Sequence, residues 1–378
     1  MVLDYASCKL VWWCLMGLLS LAFLLTDGRH LGAEMALPWL GRTDAERRLI
    51  LNAIGPTHSG GMTWFVAVGG SLFAVWPTVY AVALSGFYLA VMLCLFAMLL
   101  RPAALHYRSK RAGPRWRRNW DWCVCAGGAL PALILGVLAG NLPRGLPFRF
   151  DDAMRLDYQG GVAGLFHPFA LLAGALGIAL LLTLGAASLQ YKTGGAVAGR
   201  ARRACMAGAA LTIVLFAGAG ACLAAGIDGY RVTAMPDAGG AFLPMAKTVV
   251  RAPGAWLDNY RRWPLAWTFP AMAVGGAALA MLSSARRLAL PAVLCSGLAG
   301  AGIVLSAGAA MFPFILPSSL SPDSSLTAWD AAASHGSLML MFWVAVILLP
   351  IVFAYTAWVH RILRGKVTPA RANDHDAY

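Results

Sequence analysis

The chain has 378 residues, of which 60% are hydrophobic and only 12% charged, and its mean hydropathy is +0.67. That is more apolar surface than a soluble core can bury, so a soluble globular protein is excluded and a polytopic membrane protein remains. The net charge of +14 comes from basic residues lying between apolar runs, opposite lipid headgroups, which argues against nucleic acid as a partner. Eight cysteines fall almost wholly inside the apolar runs and form no CxxC pair, so neither a disulfide frame nor a zinc site of that kind is indicated.

The first predicted span runs from Cys8 to Thr26. It lacks a basic leading region and a small-residue cleavage site, and so reads as a retained helix that Asp27-Gly28 ends. Arg29 to Gly60 reads as a polar connection carrying Arg42, Arg47 and Arg48, with a short surface helix capped at Thr43-Asp44-Ala45-Glu46. Met62 to Leu100 is too long for one span and is interrupted at Trp76-Pro77, predicting two spans joined by a tight turn. Between Arg101 and Trp122 lie Arg101, Arg108, Lys110, Arg111, Arg115, Arg117 and Arg118, with no acid before Asp121, which marks a cytoplasmic loop. Cys123 to Leu142 is the fourth span, and the loop from Pro143 to Gly160 mixes both signs of charge.

Leu165 to Leu189 and Ala204 to Ile227 follow, with Lys192, Arg200, Arg202 and Arg203 between them. A long polar segment then leads to Pro264–Leu282 and Leu290–Phe312, separated by Arg286 and Arg287. Pro313 to Ser334 contains no basic residue, and the ninth span, Gly336 to Val359, ends in His360, Arg361, Arg364 and Lys366. The fold expected is all-α, with about nine transmembrane helices in two four-helix bundles plus one peripheral helix. The first bundle spans 1–142 and the second 165–312; the ninth span covers 336–359 and a cytoplasmic tail 360–378. A periplasmic N-terminus and a cytoplasmic C-terminus form the one parity that places every basic loop inside. Gly208, Gly218, Gly220 and Gly226 read as close-packing positions.

Ionisable groups at span ends carry the chemistry that can be read from the residues. His30, His58 and His106 fall at cytoplasmic ends of the first bundle on this topology. They can be solvated or capping residues, a proton relay, since imidazole titrates near neutral pH, or metal ligands. No close-spaced pair such as HxxxH is present, so no metal site is assigned. His167, followed by Pro168, and His335 lie near outer span ends, where an axial haem ligand could sit, but no CxxCH, Walker, Rossmann or HExxH pattern is present. The residues alone leave a nine-helix membrane protein with a transport or redox role.

Several segments go further. They are Trp12-Trp13, TDG at Thr26 to Gly28, LGRTDAERR at Leu40 to Arg48, LFAVWPTVYAVALSGFYLA at Leu72 to Ala90 and HYRSK…RWRRNWDW at His106 to Trp122. To these add GIDGY at Gly226 to Tyr230, GAWLDN at Gly254 to Asn259, MFPFILPSSLSPDSSLTAWDA at Met311 to Ala331 and the terminal Tyr378. Together, and in the same order along the chain, they resemble subunit II of cytochrome bd-type ubiquinol oxidases of the bacterial inner membrane.

The resemblance implies a partner, subunit I, which carries haem b and haem d, oxidises ubiquinol and reduces dioxygen to water. It also implies small single-span accessory subunits, contact with membrane lipid and a bound ubiquinone in this chain. Trp64 matches an oxygen-entrance tryptophan, Asp121 an acid associated with intact haems, and Tyr378 a tyrosine near the proton entrance. Asp27, Trp329 and Asp330 stand with Asp121 as haem-supporting or interface positions. Proton-path positions fall on His30, His58, Ser59 and His106. Here the chain departs from better-known members, which have acids at the positions of His30, Ser59 and His106 and a tryptophan at that of His58; the imidazoles then replace carboxylates as the proton-collecting groups.

The alternatives are a secondary transporter, whose signature would be matching interrupted spans in the two halves, or a membrane scaffold without haem; no such matching pair is present. The orientation is testable: a reporter active only outside the cytoplasm should be active when fused after Ser319 and silent after Arg287. The reverse pattern overturns the nine-span parity.

Overall fold

The computed structural model describes residues 3–111, 113–235, 239–240 and 243–367. Helix α1 (Tyr5–Phe23) opens at Asp4, whose carboxylate accepts the Ser7 N–H at 3.2 Å. It does not stop at Asp27-Gly28. One π-helical turn, Leu24–Gly28, carries the chain into α2 (Arg29–Met35), giving a continuous candidate span over Tyr5–Met35. Gly28 has ordinary helical dihedrals, and the acids beyond it find partners inside the molecule, so the polar residues do not end the helix.

After α3 (Leu37–Leu40), Thr43 and Glu46 form the expected capping box, with Thr43 Oγ1 accepting from the Glu46 N–H and Glu46 Oε2 accepting from the Thr43 N–H. The helix it opens, α4 (Asp44–Val75), is 32 residues long rather than a short surface turn. The connection expected from Arg29 to Gly60 is therefore mostly helix.

Trp76 leaves helical geometry at φ −129°, and Pro77, which has no N–H to give to a helical ladder, starts α5 (Pro77–Gly86) at a bend of 120°. A ten-residue helix thus stands where a tight turn was expected, before α6 (Tyr88–Tyr107). Helix α7 (Pro114–Asn141) already includes Arg115 to Trp122, and α8 (Pro168–Lys192), α9 (Gly195–Ala225), α10 (Asp258–Arg262), α11 (Thr268–Ala285), α12 (Ala289–Met311) and α13 (His335–Ile362) follow. Among the described residues, eight helices are long and apolar enough to cross a membrane, or nine if the bent pair is one span, in an all-α polytopic fold.

Three antiparallel hairpins, which the sequence reading did not anticipate, lie in the loops at the end away from Arg101–Trp122. They pair β1 (Phe148–Phe150) with β2 (Leu156–Tyr158), β3 (Gly229–Ala234) with β4 (Thr248–Ala252), and β5 (Phe314–Leu316) with β6 (Leu326–Thr327). Backbone bonds tie the loops to one another: Leu146 N–H donates to Pro317 O at 2.9 Å and Ser319 N–H to Leu146 O at 2.8 Å. Tyr230, Trp256 and Phe314 pack their rings against each other beneath this layer, with centroids 5.8 to 6.1 Å apart.

Helix α8 occupies the centre, packed against α2, α7, α9 and α12. Its closest approach is to α2, where a Cβ on Gly32 would fall 1.7 Å from Leu181 O and one on Gly185 2.2 Å from Ala33 N. Of the four glycines singled out from sequence, Gly208 sits at a tight crossing, 2.7 Å from Thr183 Oγ1 by the same measure, whereas Gly218 and Gly220 face open space or distant side chains. Apolar composition does not reveal which side of a helix meets a neighbour. Gly32→Ala should therefore force α2 from α8 and cost about 1–3 kcal/mol, seen as a lower thermal midpoint of the detergent-solubilised protein, while Gly220→Ala leaves the midpoint unchanged. Equal midpoints would refute the crossing.

Candidate functional site

The π-helical turn adds one residue between α1 and α2, and Asp27 within it is buried inside the molecule. Glu34 lies seven residues on, two helical turns along the same face, and Arg101 of α6 meets both. Arg101 Nη1 and Nη2 each donate to an oxygen of Asp27 at 2.8 Å, and Nε donates to Glu34 Oε2 at 2.6 Å. All three side chains have 0% exposure, so this is a fork of charge-assisted bonds taken wholly out of solvent. Room for it comes from Gly127 of α7, where a Cβ would stand 2.6 Å from Arg101 Cγ, and Gly61 of α4, where one would stand 3.0 Å from His30 Nδ1.

Two of the histidines read from sequence join this cluster. His30 Nδ1 lies 3.5 Å from Asp27 Oδ1 and its Nε2 is 2.9 Å from Thr57 Oγ1. His58 Nδ1 lies 3.1 Å from Glu34 Oε1, and the two imidazole centroids are 6.3 Å apart. They were expected at helix ends. Instead His58 is about 21 Å along α4 from Asp44, at 1.5 Å per residue, because Arg101 pairs with both buried acids and lets the helices continue.

Ser59, the next residue of α4, is exposed, and His106 is exposed near Tyr107, away from the cluster. The three histidines therefore do not form one group. Trp64, one to two turns beyond His58, is buried with its ring 4.9 Å from Phe353 of α13.

Asp121 anchors a second cluster at the start of α7. It accepts from Arg108 Nε at 2.5 Å and Arg47 Nη1 at 2.8 Å, while Arg108 and Arg117 also reach Asp44 at 2.9 and 2.8 Å. Arg200 Nη2 pairs with Glu46 Oε2 at 2.7 Å. Lys110, Arg111, Arg115 and Arg118 remain exposed and keep this end basic.

At the opposite end, Asp330 accepts from Thr327 and pairs with Lys247 Nζ at 2.7 Å; burial pulls the Lys247 ammonium below the ordinary lysine value, with Asp330 opposing. Trp329 is half-buried and its carbonyl accepts from Lys9 Nζ at 2.5 Å. His167 Nδ1 caps α8 by accepting the Ala170 N–H at 3.3 Å, and burial, then Arg144, pull this histidine below its usual value. His335 Nε2 lies 3.1 Å from Leu3 O. A cleft of about 460 Å³ opens between α10, α12 and the β3–β4 hairpin, lined by Trp256, Trp263, Phe312, Trp329, Arg231 and Arg262. Tyr378 lies outside the described residues.

Sequence reasoning missed Glu34, Lys9 and Lys247, and counted Arg101 as a loop cation. A signal was available: Asp27 and Glu34 share one helix face, and Arg101 closes an apolar run.

Comparison with known proteins gives a consistent result. The family model described as cytochrome bd terminal oxidase subunit II matches residues 8–363. The chain is similar to cytochrome bd-I ubiquinol oxidase subunit 2 of Escherichia coli strain K12, at 42% identity covering 100% of both chains. It is also similar to a probable cytochrome oxidase subunit 2 of Haemophilus influenzae, at 41% over 97% of each. Its fold resembles a chain in the structure of bd oxidase from Geobacillus thermodenitrificans, with a TM-score of 0.69 at 15% identity, covering 94% of this chain and 99% of that one.

Arg101→Leu leaves two buried carboxylates without a counter-charge and should destabilise by about 3–5 kcal/mol. Arg149→Leu, which breaks an exposed pair with Asp157, should leave the thermal midpoint unmoved. Comparable midpoints for the two variants would show that the fork is not a stability determinant.

Proposed function

We propose a role that proceeds from one premise: this chain belongs to the cytochrome bd terminal oxidase subunit II family. It is subunit II of a bd-type ubiquinol oxidase, one part of a multi-span oxidoreductase complex in a bacterial membrane. The observation that carries this is the end-to-end match, 42% identity across 100% of both chains.

In our reading the chain is the scaffold partner of subunit I, which bears haem b and haem d and carries out ubiquinol oxidation and dioxygen reduction. The N-terminus is periplasmic and the C-terminus cytoplasmic, a reading supported by the exposed Lys110, Arg111, Arg115 and Arg118. Lipid and a small single-span accessory subunit cover apolar faces such as that of α13, where Leu340, Ile347, Ile351 and Tyr355 are exposed. A structural ubiquinone is supported by the aromatic cleft, whose flat rings suit a quinone head and whose Arg231 and Arg262 can donate to its carbonyl oxygens.

Trp64, between α1, α4 and α13, is our candidate for oxygen access. Proton access runs along α4 past Ser59 and His58, with His30 beside it; His106 stands apart and serves at most as a surface collector. Asp121 supports the haems indirectly, by fixing Arg47 and Arg108 where α4, α6 and α7 meet.

The test is expression with and without subunit I. The chain alone should carry no stoichiometric haem, and co-expression should give a co-purifying complex with b-type and d-type difference bands that weaken in Asp121→Asn. Haem bound by the isolated chain, lost on replacing His167 or His335, would overturn the assignment of the haems.

A further inference from the structure

Asp27, His30 and His58 each present one donor atom, and the three atoms lie within 4.8 Å of one another. Their exposures are 0, 4 and 2%. Local hydrogen bonding sets the state of His30. The Thr57 hydroxyl donates to Ile54 O at 3.3 Å, so its oxygen accepts from His30 Nε2 at 2.9 Å, and in the neutral ring the lone pair is then on Nδ1. That lone pair faces Asp27 Oδ1 at 3.5 Å, so an acceptor is set against a carboxylate in a buried place. Neither nitrogen of His58 completes a hydrogen bond among the described residues, although Nδ1 lies 3.1 Å from Glu34 Oε1.

Buried acceptors that face one another are costly unless a cation stands between them. Two neutral imidazoles and one carboxylate are a donor set suited to a divalent ion of borderline softness. We propose that Asp27, His30 and His58 bind a divalent transition-metal ion of the zinc class.

The surroundings fit. With neutral imidazoles, Asp27 and Glu34 outweigh Arg101 by one negative charge, so the cluster attracts a cation. Arg29 turns to His360, and Lys192 donates to Leu363 O at 2.5 Å, so neither cation points into the trio. Arg101 holds both oxygens of Asp27, including the Oδ1 that faces His30, and Thr57 holds His30 through its second nitrogen, the outer contacts that orient metal ligands. Tetrahedral donors at about 2.1 Å from zinc stand about 3.4 Å apart, so donors within 4.8 Å of one another must close by up to about 1.4 Å, within the reach of side-chain rotation. Gly61 leaves the space on the α4 side.

The functional consequence rests on the proton-access reading above: an ion held here would stand in the way of protons passing His58. The experiment uses the purified complex with subunit I, chelator-washed, equilibrated with zinc chloride, desalted and analysed for metal by mass spectrometry. Wild type should retain one zinc more than His30→Gln or His58→Gln, and His106→Gln should match wild type. Gly61→Val, which crowds the site without removing a donor, should also lose that zinc.

X-ray absorption of wild-type zinc should show imidazole scattering; zinc without imidazole ligands, or equal zinc in wild type and every variant, overturns the site even if a variant folds poorly. Oxygen consumption provides a separate arm. Zinc that slows wild type but not His58→Gln supports both readings, whereas bound zinc with no effect on rate or its pH dependence supports the site and removes the proton route.

Discussion

The fold depends on one buried fork, Arg101 held across Asp27 and Glu34. Moving three charges out of water costs several kcal/mol each, and such a cluster survives only when geometry and hydrogen bonding return that cost. Here four bonds of 2.6 to 3.4 Å do so, and this pairing lets α1, α2 and α6 run through a region that hydropathy marks as polar. The small residues nearby follow from it. Gly127 gives Arg101 space for its stem, and Gly128 lets α7 come within 2.5 Å, on a Cβ measure, of Leu31 O.

The second charge cluster works at a different depth and serves a different purpose. Asp121, Asp44 and Glu46 draw in Arg47 of α4, Arg108 after α6, Arg117 of α7 and Arg200 of α9, so the basic end is clamped rather than merely solvated. The opposite end carries both signs of charge in its loops and is closed by hairpins and aromatic packing. Both ends are thus cross-linked within the chain, whereas the long outer helix α13 is little covered by it.

Hydropathy and charge alternation made the spans legible because lipid imposes one rule on every residue facing it. Leu165–Leu189 and Gly336–Val359 were placed within a few residues of α8 and α13 for that reason. The same rule failed between Thr26 and Met62. A window average cannot see that Asp27, Glu34 and Arg101, up to 74 residues apart, pair in space. The hairpins escaped too, since strands of two to six residues leave no periodicity to detect. Of the positions marked for function, His30 and His58 could be named but not joined, for nothing in a 28-residue separation reveals that two helices meet there. Ser59 adjoins His58 in sequence and His106 shares its residue type, yet both are exposed rather than buried in the cluster.

The first helix is fastened to the last part of the chain. Tyr5 donates its hydroxyl hydrogen to Ala333 O, and Trp12 donates its indole N–H to Leu338 O, 326 residues later. At roughly 5–20 residues per second, a ribosome needs about fifteen to sixty-five seconds to supply that carbonyl after Trp12 has entered the membrane. During that interval α1 must sit among lipids or translocon walls with its indole turned to something else. Fastening of α1 to α13 therefore waits until most of the chain has been made, and any factor that recognises unfinished copies of this subunit has an unfastened Trp12 to read.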